Sequence, residues 1–246
     1  MVYEIKGKTT IKPYEKSRLI IQGYEDDGKR TILTQSPTIQ RASQRLILAL
    51  TPSLIQKGQV LWLRDITQAY VQSHSELNRK ILAYLPKQLR HQHTPNSIME
   101  IVKPLYGIAE AGTHWWVTYH RHHLEKLQMT TSTYDPCLLI AQPSAEFAII
   151  GMQTDDTLGI STAKFADHEE EELTKAQFAA KPKQFLSSKE PLTFNGGILT
   201  LNKDDSITLR QKGQATKLQP IDGNVHNAKQ QYVEQRVRGA YIASIY

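Results

Sequence analysis

The chain has 246 residues, 39% of them hydrophobic, which is enough for one large packed domain or two smaller ones. This composition excludes a disordered tail. The formal charge of +6 favours a polyanionic partner without requiring one, since many soluble proteins are also basic.

The N-terminal part predicts a hairpin followed by a helix. Alternating apolar and polar residues between positions 3 and 22 are typical of strands, and segment 26–28 supplies turn chemistry. Ser36 offers an N-cap and Pro37 a first helical position, after which apolar residues recur at helical spacing. We therefore expect a helix with one buried face from this point.

A strand pattern returns at residues 60–69. Leu61 and Leu63 fall on one side of the strand and Arg64 on the other. Asp65 therefore lies on the strand or just past it.

Residues 109–129 are the longest helical candidate in the middle of the chain. The apolar runs 137–141 and 147–152 follow as a hairpin, and a third run occupies residues 157–161. The segment Thr154-Asp155-Asp156 therefore joins two apolar strands.

The C-terminal part predicts two helices around a hairpin. Residues 164–181 are helical, and the acidic stretch 167–172 is most simply a solvent-exposed face. Segment 194–211 forms the hairpin and residues 228–245 the closing helix. This order of elements favours an α+β fold in which helices cover one face of an antiparallel sheet. Such folds support many functions, so the function depends on the site residues.

Three carboxylates stand at the ends of apolar strands. Asp155 and Asp156 are adjacent, although paired aspartates are also ordinary turn residues. If the strand that ends at Asp65 is a neighbour, the three side chains form an oxygen-lined site suited to Mg²⁺. Such a site can hold two ions roughly 3.5–4 Å apart, which fits nucleotidyl transfer or a metal-dependent nuclease.

Several motifs follow one another along almost the whole chain. In chain order they are Lys16 to Gly23, Gln35 to Leu50, Asp65 to Tyr70, Lys103 to Ile108 with Trp115-Trp116, Gln153 to Asp156, and Phe194 to Gly197. Each motif is weak alone, but the ordered set resembles the reverse transcriptase domain of copia-type retrotransposons, part of their Pol polyprotein.

The resemblance implies a fingers and palm polymerase core over about residues 1–211 and a partial thumb or connection over about residues 212–246. The implied activity is that of an RNA-directed DNA polymerase, which extends a primer by two-metal catalysis with Mg²⁺ or Mn²⁺. The implied partners are an RNA template, a DNA primer or hybrid, dNTPs and other parts of the Pol polyprotein.

The resemblance also assigns roles to individual residues. Asp65, Asp155 and Asp156 become the catalytic metal ligands. The implied nucleotide-binding residues are Lys16 and Arg18 at the triphosphate, Tyr70 beside the 2′ position of the sugar, and Tyr106 with Gly107 below the base pair. The alternatives are solvated charges at positions 16 and 18 and an ordinary half-buried strand residue at position 70.

The chain departs from the family pattern in three respects. Gln153 and Thr154 replace the aromatic residue and the Val that usually precede the paired carboxylates, which affects contact with the primer end. Gly159 lies inside the next strand and should weaken the sheet by about 0.5–1 kcal/mol. No ribonuclease H, protease, integrase or zinc-knuckle motif occurs, so we expect an incomplete copy. An inactive nucleic-acid-binding remnant and a metal-dependent nuclease stay open as alternatives.

The predicted helix at 109–129 is rich in aromatic and histidine side chains. Because no further ligand completes a metal shell, we expect a polar, partly cationic face formed by His114, His120, His122 and His123. We expect Trp115 and Trp116 to belong to the core.

The single cysteine and the N-terminus indicate where the protein resides. Cys137 alone cannot form an internal disulfide, and the charged segment 1–16 lacks the apolar core of a signal peptide. No apolar run reaches the roughly 20 residues that span a bilayer. We therefore expect an intracellular protein, in a cytoplasmic virus-like particle or in the nucleus, that is neither secreted nor membrane-bound.

Overall fold

A computed structural model describes residues 1–6 and 12–245. Its strands are β1 (Val2–Lys6), β2 (Tyr14–Arg18), β3 (Val60–Asp65), β4 (Ile81–Tyr84), β5 (Ile98–Ile101), β6 (Met129–Thr131), β7 (Leu138–Ala141), β8 (Ala148–Gln153), β9 (Asp156–Ser161), β10 (Gln184–Phe185), β11 (Leu192–Phe194), β12 (Gly197–Leu201) and β13 (Ile207–Gln211). Its α-helices are α1 (Arg41–Ile55), α2 (Ala111–Lys126), α3 (Ala163–Lys175) and α4 (Ala228–Ile245). Within the described ranges, no helix is both long and apolar enough to cross a membrane.

The chain divides into two compact units. The first comprises Met1–Pro37 and Gln68–His123, and the second comprises Thr38–Thr67 and Leu124–Tyr246. Each unit therefore contains two separate stretches of the chain.

The first unit contains two antiparallel hairpins, β1 with β2 and β4 with β5. A small apolar core forms where the second hairpin meets the start of α2. Its buried members are Ile81, Ile101, Ile108 and Ala111. A hairpin is present in the N-terminal part, but its second strand ends at Arg18 rather than near Gln22, and the segment 26–28, where we expected a turn, runs into the short 3₁₀ helix Asp27–Thr31 after the hairpin.

The second unit is built on a six-stranded antiparallel sheet in the order β10-β3-β9-β8-β7-β6, and it also contains the three-stranded sheet β11-β12-β13. The central strands β3, β8 and β9 are buried over most of their length, because helices cover both faces of the sheet, and this explains why the region consists of short, nearly continuous apolar runs. The predicted mixed α and β architecture with antiparallel sheets is confirmed.

Helices α1 and α3 pack on opposite faces of the six-stranded sheet. Gly151 points at α1, since a Cβ there would lie 3.0 Å from the side chain of Ile47 in that helix. Gly151 shares its face with Leu63, because both are register partners of Leu158. Arg64, the next residue along β3, points to the other face and binds Glu169 of α3. The expectation that helices cover a single face is therefore wrong for these two helices.

Helix α1 begins at Arg41, so the prediction of a start at Ser36 is wrong. The backbone N–H of Ile39 donates to the carbonyl oxygen of Met152 at 2.9 Å, and that of Gln40 donates to the Asp135 carboxylate at 2.8 Å. These bonds hold the segment before α1 extended. The Ser36 hydroxyl donates to the carbonyl oxygen of Gly112 instead of capping the helix.

The expected penalty at Gly159 is offset by packing. A Cβ at Gly159 would lie 2.3 Å from the indole ring of Trp62, its register partner on β3. The indole N–H donates to the Ser161 hydroxyl at 2.9 Å. The glycine therefore makes room for a fully buried tryptophan within the sheet.

The expected cationic face on α2 is wrong for two of its four histidines. His122 and His123 are buried, and a ring nitrogen of His123 lies 2.8 Å from the carbonyl oxygen of Tyr119. Burial also lowers the pKa of His120. Trp115 is a core residue, as predicted, and its ring stacks on that of Tyr119.

Candidate active site

Three aspartates lie at one end of the six-stranded sheet, in the second unit. Asp65 is the last residue of β3 and Asp156 the first of β9, and the two are register partners. Thr154 and Asp155 form the two-residue turn between β8 and β9, and the N–H of Ile66 donates to the carbonyl oxygen of Asp155 at 2.9 Å. The condition set for the metal-site hypothesis, that the strand ending at Asp65 is a neighbour, is therefore met.

The turn between β8 and β9 contains a backbone conformation that its residue type seldom adopts. Thr154 adopts a φ of 53°, in the left-handed region that two-residue hairpin turns require and that a β-branched residue seldom occupies. The strand pairing on both sides of the turn holds this conformation. As a result, Asp155 and Asp156 stay close to the end of β3.

The carboxylates influence one another electrostatically. The pKa of Asp156 is raised from 3.8 to about 6, first by burial and then by repulsion from Asp155 and Asp65, while Lys181 acts in the opposite direction. A bound cation would relieve this repulsion, and carboxylate oxygens are the ligands that Mg²⁺ prefers. The residue types and their mutual repulsion therefore fit a divalent metal, although no group of three or more His, Cys, Asp or Glu side chains within residues 1–6 and 12–245 has metal-binding geometry.

Lys181 is a charged neighbour of this site that the sequence did not reveal. Its ammonium group contacts the Asp65 carboxylate, and its backbone N–H donates to the Asp65 carbonyl oxygen at 2.9 Å. The sequence predicted a helix through position 181, but α3 ends at Lys175 and the following residues run alongside the end of β3. Pro182, which disfavours helix at the residue before it, was the available signal.

A buried charge cluster lies on the opposite face of β3. The side chains of Arg64 and Glu169 are fully buried and 2.8 Å apart, and Lys183 lies 2.8 Å from Glu169. Burial alone would raise the pKa of Glu169, but the Arg64 hydrogen bond and the Lys183 charge outweigh it, so the pKa is lowered. The prediction of a solvent-exposed acidic face is therefore wrong for Glu169.

Two sequence features could have revealed this cluster. Glu169 shares a helical stripe with buried Phe165, Ala166 and Leu173. Arg64 occupies the inward face of a strand, where a cation needs a carboxylate partner.

The hairpin turn at Asn195 and Gly196 reaches the residues beside the carboxylates. The side-chain amide of Asn195 donates to the side-chain oxygens of Gln44 at 3.2 Å and Gln153 at 3.4 Å. Gln153, which replaces an aromatic residue of the family pattern, is therefore hydrogen-bonded to the turn of the later hairpin motif.

Tyr70 and Tyr106 lie together in the first unit. Their ring centroids are 4.8 Å apart and the ring planes are tilted by 48°. Tyr70 is half-buried against the apolar core of this unit and lies on a short 3₁₀ helix, Ala69–Gln72, rather than on a strand.

Gly107 is required by the fold of the first unit. Its φ is +91°, and a Cβ there would lie 1.9 Å from the carbonyl oxygen of Ile21. The N–H of Ile21 donates to the carbonyl oxygen of Tyr106 at 2.8 Å. The close backbone approach that the glycine permits is therefore to the protein's own chain.

Lys16 and Arg18 are half-exposed on β2 of the first unit. Arg18 lies 3.5 Å from the Glu4 carboxylate, and Glu4 is the register partner of Lys16. The structure therefore groups the eight candidate residues by unit: the three aspartates lie in the second unit and the other five in the first.

Comparison with known proteins agrees with the order of the motifs. The profile of the family described as reverse transcriptase (RNA-dependent DNA polymerase) matches residues 1–222. The retrovirus-related Pol polyprotein from transposon RE1 of Arabidopsis thaliana is 25% identical over 144 residues, which are 58% of this chain and 9% of that protein. The chain therefore spans a small part of this relative's length. The resemblance to a retrotransposon polymerase is confirmed, and the chain belongs to the reverse transcriptase family of RNA-dependent DNA polymerases.

Proposed function

We propose that this chain is the polymerase core of a retrotransposon reverse transcriptase, which extends a primer with dNTPs on an RNA template. The observation that carries the proposal is the register pairing of Asp65 with Asp156 beside the turn at Asp155. Carboxylates from separate strands that meet at a sheet end fit the two-metal pattern of nucleotidyl transfer. The palm would lie in the second unit, the fingers in the first, and the thumb or connection in residues 212–246.

In this proposal Asp65, Asp155 and Asp156 hold two Mg²⁺ ions, or Mn²⁺ ions. When bound, the ions activate the primer hydroxyl and stabilise the pyrophosphate that leaves. The strand pairing fixes the direction of Asp65 and Asp156, and the β8–β9 turn fixes Asp155. The role of the chain is therefore to hold the carboxylates in place before substrate arrives.

The first unit supplies the proposed nucleotide contacts. Lys16 and Arg18 would bind the triphosphate, since cations neutralise charge on its oxygens. Tyr70 would lie beside the 2′ carbon of the sugar and exclude a hydroxyl by clash. Tyr106 and Gly107 would lie below the base pair, where the tilted contact of the two tyrosine rings supports the position of Tyr70.

The proposed partners follow from the same assignment. A basic chain that holds an RNA template and DNA primer would recognise the hybrid mainly by its shape and phosphate backbone. Other parts of a Pol polyprotein are further proposed partners, since the transposon relative is a much longer protein. Such a protein would act inside the cell, in a virus-like particle or in the nucleus.

A second candidate is an inactive protein that still binds nucleic acid. The contact between Lys181 and Asp65 favours it, because the ammonium group already neutralises one proposed metal ligand. The replacement of the usual aromatic residue by Gln153 also favours the inactive protein. Among the contacts of residues 1–6 and 12–245, none favours a metal-dependent nuclease in particular.

Primer extension on an RNA template with Mg²⁺ separates these functions. We expect extension by the wild-type chain, a loss of at least about 100-fold in Asp65→Asn and Asp155→Asn, and hybrid binding within a few-fold of wild type in both. Asp204→Asn, on an exposed turn, is the matched control and should extend normally. Extension by Asp65→Asn would refute the assignment, binding without extension by wild type would favour the inactive protein, and strand cleavage would favour the nuclease.

A further inference from the structure

The segment that follows α3 presents Lys181 to the carboxylates at the end of the sheet. The N–H of Thr67 donates to the carbonyl oxygen of Ala179 at 2.8 Å, and Ile66 forms a bridge with Ala180. These backbone contacts continue to the N–H of Lys181, which binds the carbonyl oxygen of Asp65. The position of the Lys181 ammonium group is therefore set by the backbone as well as by its own charge.

The buried cluster holds the same segment from the other face of β3. Arg64 donates from Nη1 to the Lys181 carbonyl oxygen at 2.9 Å, while Nη2 binds Glu169. Lys183 also binds Glu169, and its Nζ lies 4.6 Å from the centre of a ring of Trp62. The residues on both sides of Pro182 are thus fixed to β3 and α3, which limits how far Lys181 can move.

The charge balance gives Lys181 a role. Asp65, Asp155, Asp156 and Lys181 together carry an excess of two negative charges. Without the lysine the excess would be three, at a place where the carboxylates already repel one another. A metal ion and the ammonium group both require the Asp65 carboxylate, so each weakens the binding of the other.

We propose that Lys181 is the built-in counter-ion of the carboxylate site, held against Asp65 by Arg64 and Glu169, and that it lowers the affinity of the site for divalent cations. The ammonium group holds Asp65 when no metal is bound and leaves it when metal binds. This inference rests on the proposed metal site at Asp65, Asp155 and Asp156. Lys181 is then a positioning residue that acts through Asp65 and controls at what concentration divalent cations bind the site.

Binding of Mn²⁺, measured from the electron paramagnetic resonance signal of the free ion, tests this proposal without nucleic acid or nucleotide. At low salt we expect Lys181→Met to bind Mn²⁺ roughly three- to tenfold more tightly than wild type, since an attraction that competes with the ion is removed. Lys181→Arg keeps the charge and should stay within about twofold of wild type. The gain in Lys181→Met should shrink as salt screens the pair.

Lys175→Met is the matched control, because Lys175 is also an exposed lysine paired with a carboxylate, Glu172, in the second unit. It removes the same charge without touching the site and should leave Mn²⁺ affinity unchanged. An equal gain in Lys175→Met, or no gain in Lys181→Met, would overturn the role of Lys181. Because Lys181 is exposed, we expect its variants to fold, and circular dichroism checks this.

Asp65→Asn separates this inference from the proposed function. If it abolishes Mn²⁺ binding while Lys181→Met binds like wild type, the metal site stands and only the counter-ion role fails. If wild type, Lys181→Met and Asp65→Asn all fail to bind Mn²⁺, both proposals are overturned.

Discussion

Arg64 and Asp65 are neighbours on one strand, but their charges meet different environments. On the Arg64 face, two cations, Arg64 and Lys183, contact two carboxylates, Glu169 and Glu170, so the charges balance within the protein. On the Asp65 face, Asp65 pairs with Lys181, while burial and then repulsion from Asp155 and Asp65 raise the pKa of Asp156, so negative charge is in excess among these four residues. A balanced buried cluster fixes structure, whereas an imbalance at a sheet end indicates a site for a ligand of opposite charge.

The largest expected effect is a loss of stability when the buried charge cluster of Arg64 and Glu169 is broken. Arg64→Met leaves Glu169 buried with one partner fewer, which should lower the free energy of unfolding by about 3–5 kcal/mol in a urea titration. Arg238→Met, in a partly exposed pair with Glu234, is the control and should change stability little. A small effect of Arg64→Met would mean that the buried cluster does not hold the fold together.

On the Asp65 face of β3, removal of a charge should raise the free energy of unfolding instead of lowering it, and Asp156 is the residue that tests this. Because folding raises this pKa from 3.8 to about 6, the folded protein loses stability as pH rises through that range and keeps the full penalty above it. Asp156→Asn removes the penalty, so we expect it to be about 1–2 kcal/mol more stable than wild type at pH 8, after allowance for partial exposure. Below the ordinary pKa of 3.8 the gain should vanish.

Urea unfolding at several pH values measures this difference. Asp204→Asn is a suitable control, because Ser206 hydrogen bonds lower the pKa of that carboxyl, and its removal should give no gain at pH 8. A pH-independent gain in Asp156→Asn would show that the effect comes from packing and not from charge.

A substitution of Tyr70, in the first unit, tests whether the protein selects deoxynucleotides for polymerisation. If its ring lies beside the 2′ carbon of the sugar, Tyr70→Ala should raise the kcat/KM for a ribonucleotide relative to a deoxynucleotide by about tenfold or more. Tyr70→Phe keeps the ring and should keep the wild-type ratio. Competition between the two nucleotides in primer extension measures it, and an unchanged ratio in Tyr70→Ala would refute the assigned role.

The smallest expected effect is on the stability contributed by Lys181. Its pair with Asp65 is partly exposed, so Lys181→Met should change the free energy of unfolding by less than about 1 kcal/mol. Urea unfolding of Lys181→Met and Arg64→Met under the same conditions compares the stability that each face of β3 contributes. A loss in Lys181→Met as large as that in Arg64→Met would remove the distinction between the two clusters.

The sequence predicted the elements whose signals are local. The closing helix has the expected bounds, Ala228–Ile245, and the three strands between residues 137 and 161 lie within one residue of the expected runs. These features depend on periodicity along a short stretch of chain. The pairing of Asp65 with Asp156 was only a condition of the metal-site hypothesis, because no local pattern decides which strands are neighbours.

The sequence failed where distant residues decide the structure. The start of α1 depends on the bonds of Gln40 to Asp135 and of Ile39 to Met152, which lie about 95 and 113 positions further along the chain. Ser36 is a residue type typical of N-caps, so the local pattern predicted the wrong start. Glu169 looked like part of a solvated acidic run because its partner Arg64 lies 105 positions earlier. Lys181 was missed for the same reason, since only the fold brings it to Asp65.

The close fit of Trp62 over Gly159 has an evolutionary consequence. Any larger residue at position 159 would push the indole aside, and with it the contact between the ring and Lys183. Positions 62 and 159 are therefore not free to vary independently: a gain of volume at one must accompany a loss at the other. Among relatives, we expect these two positions to covary in side-chain size, while positions 64 and 169 covary in charge.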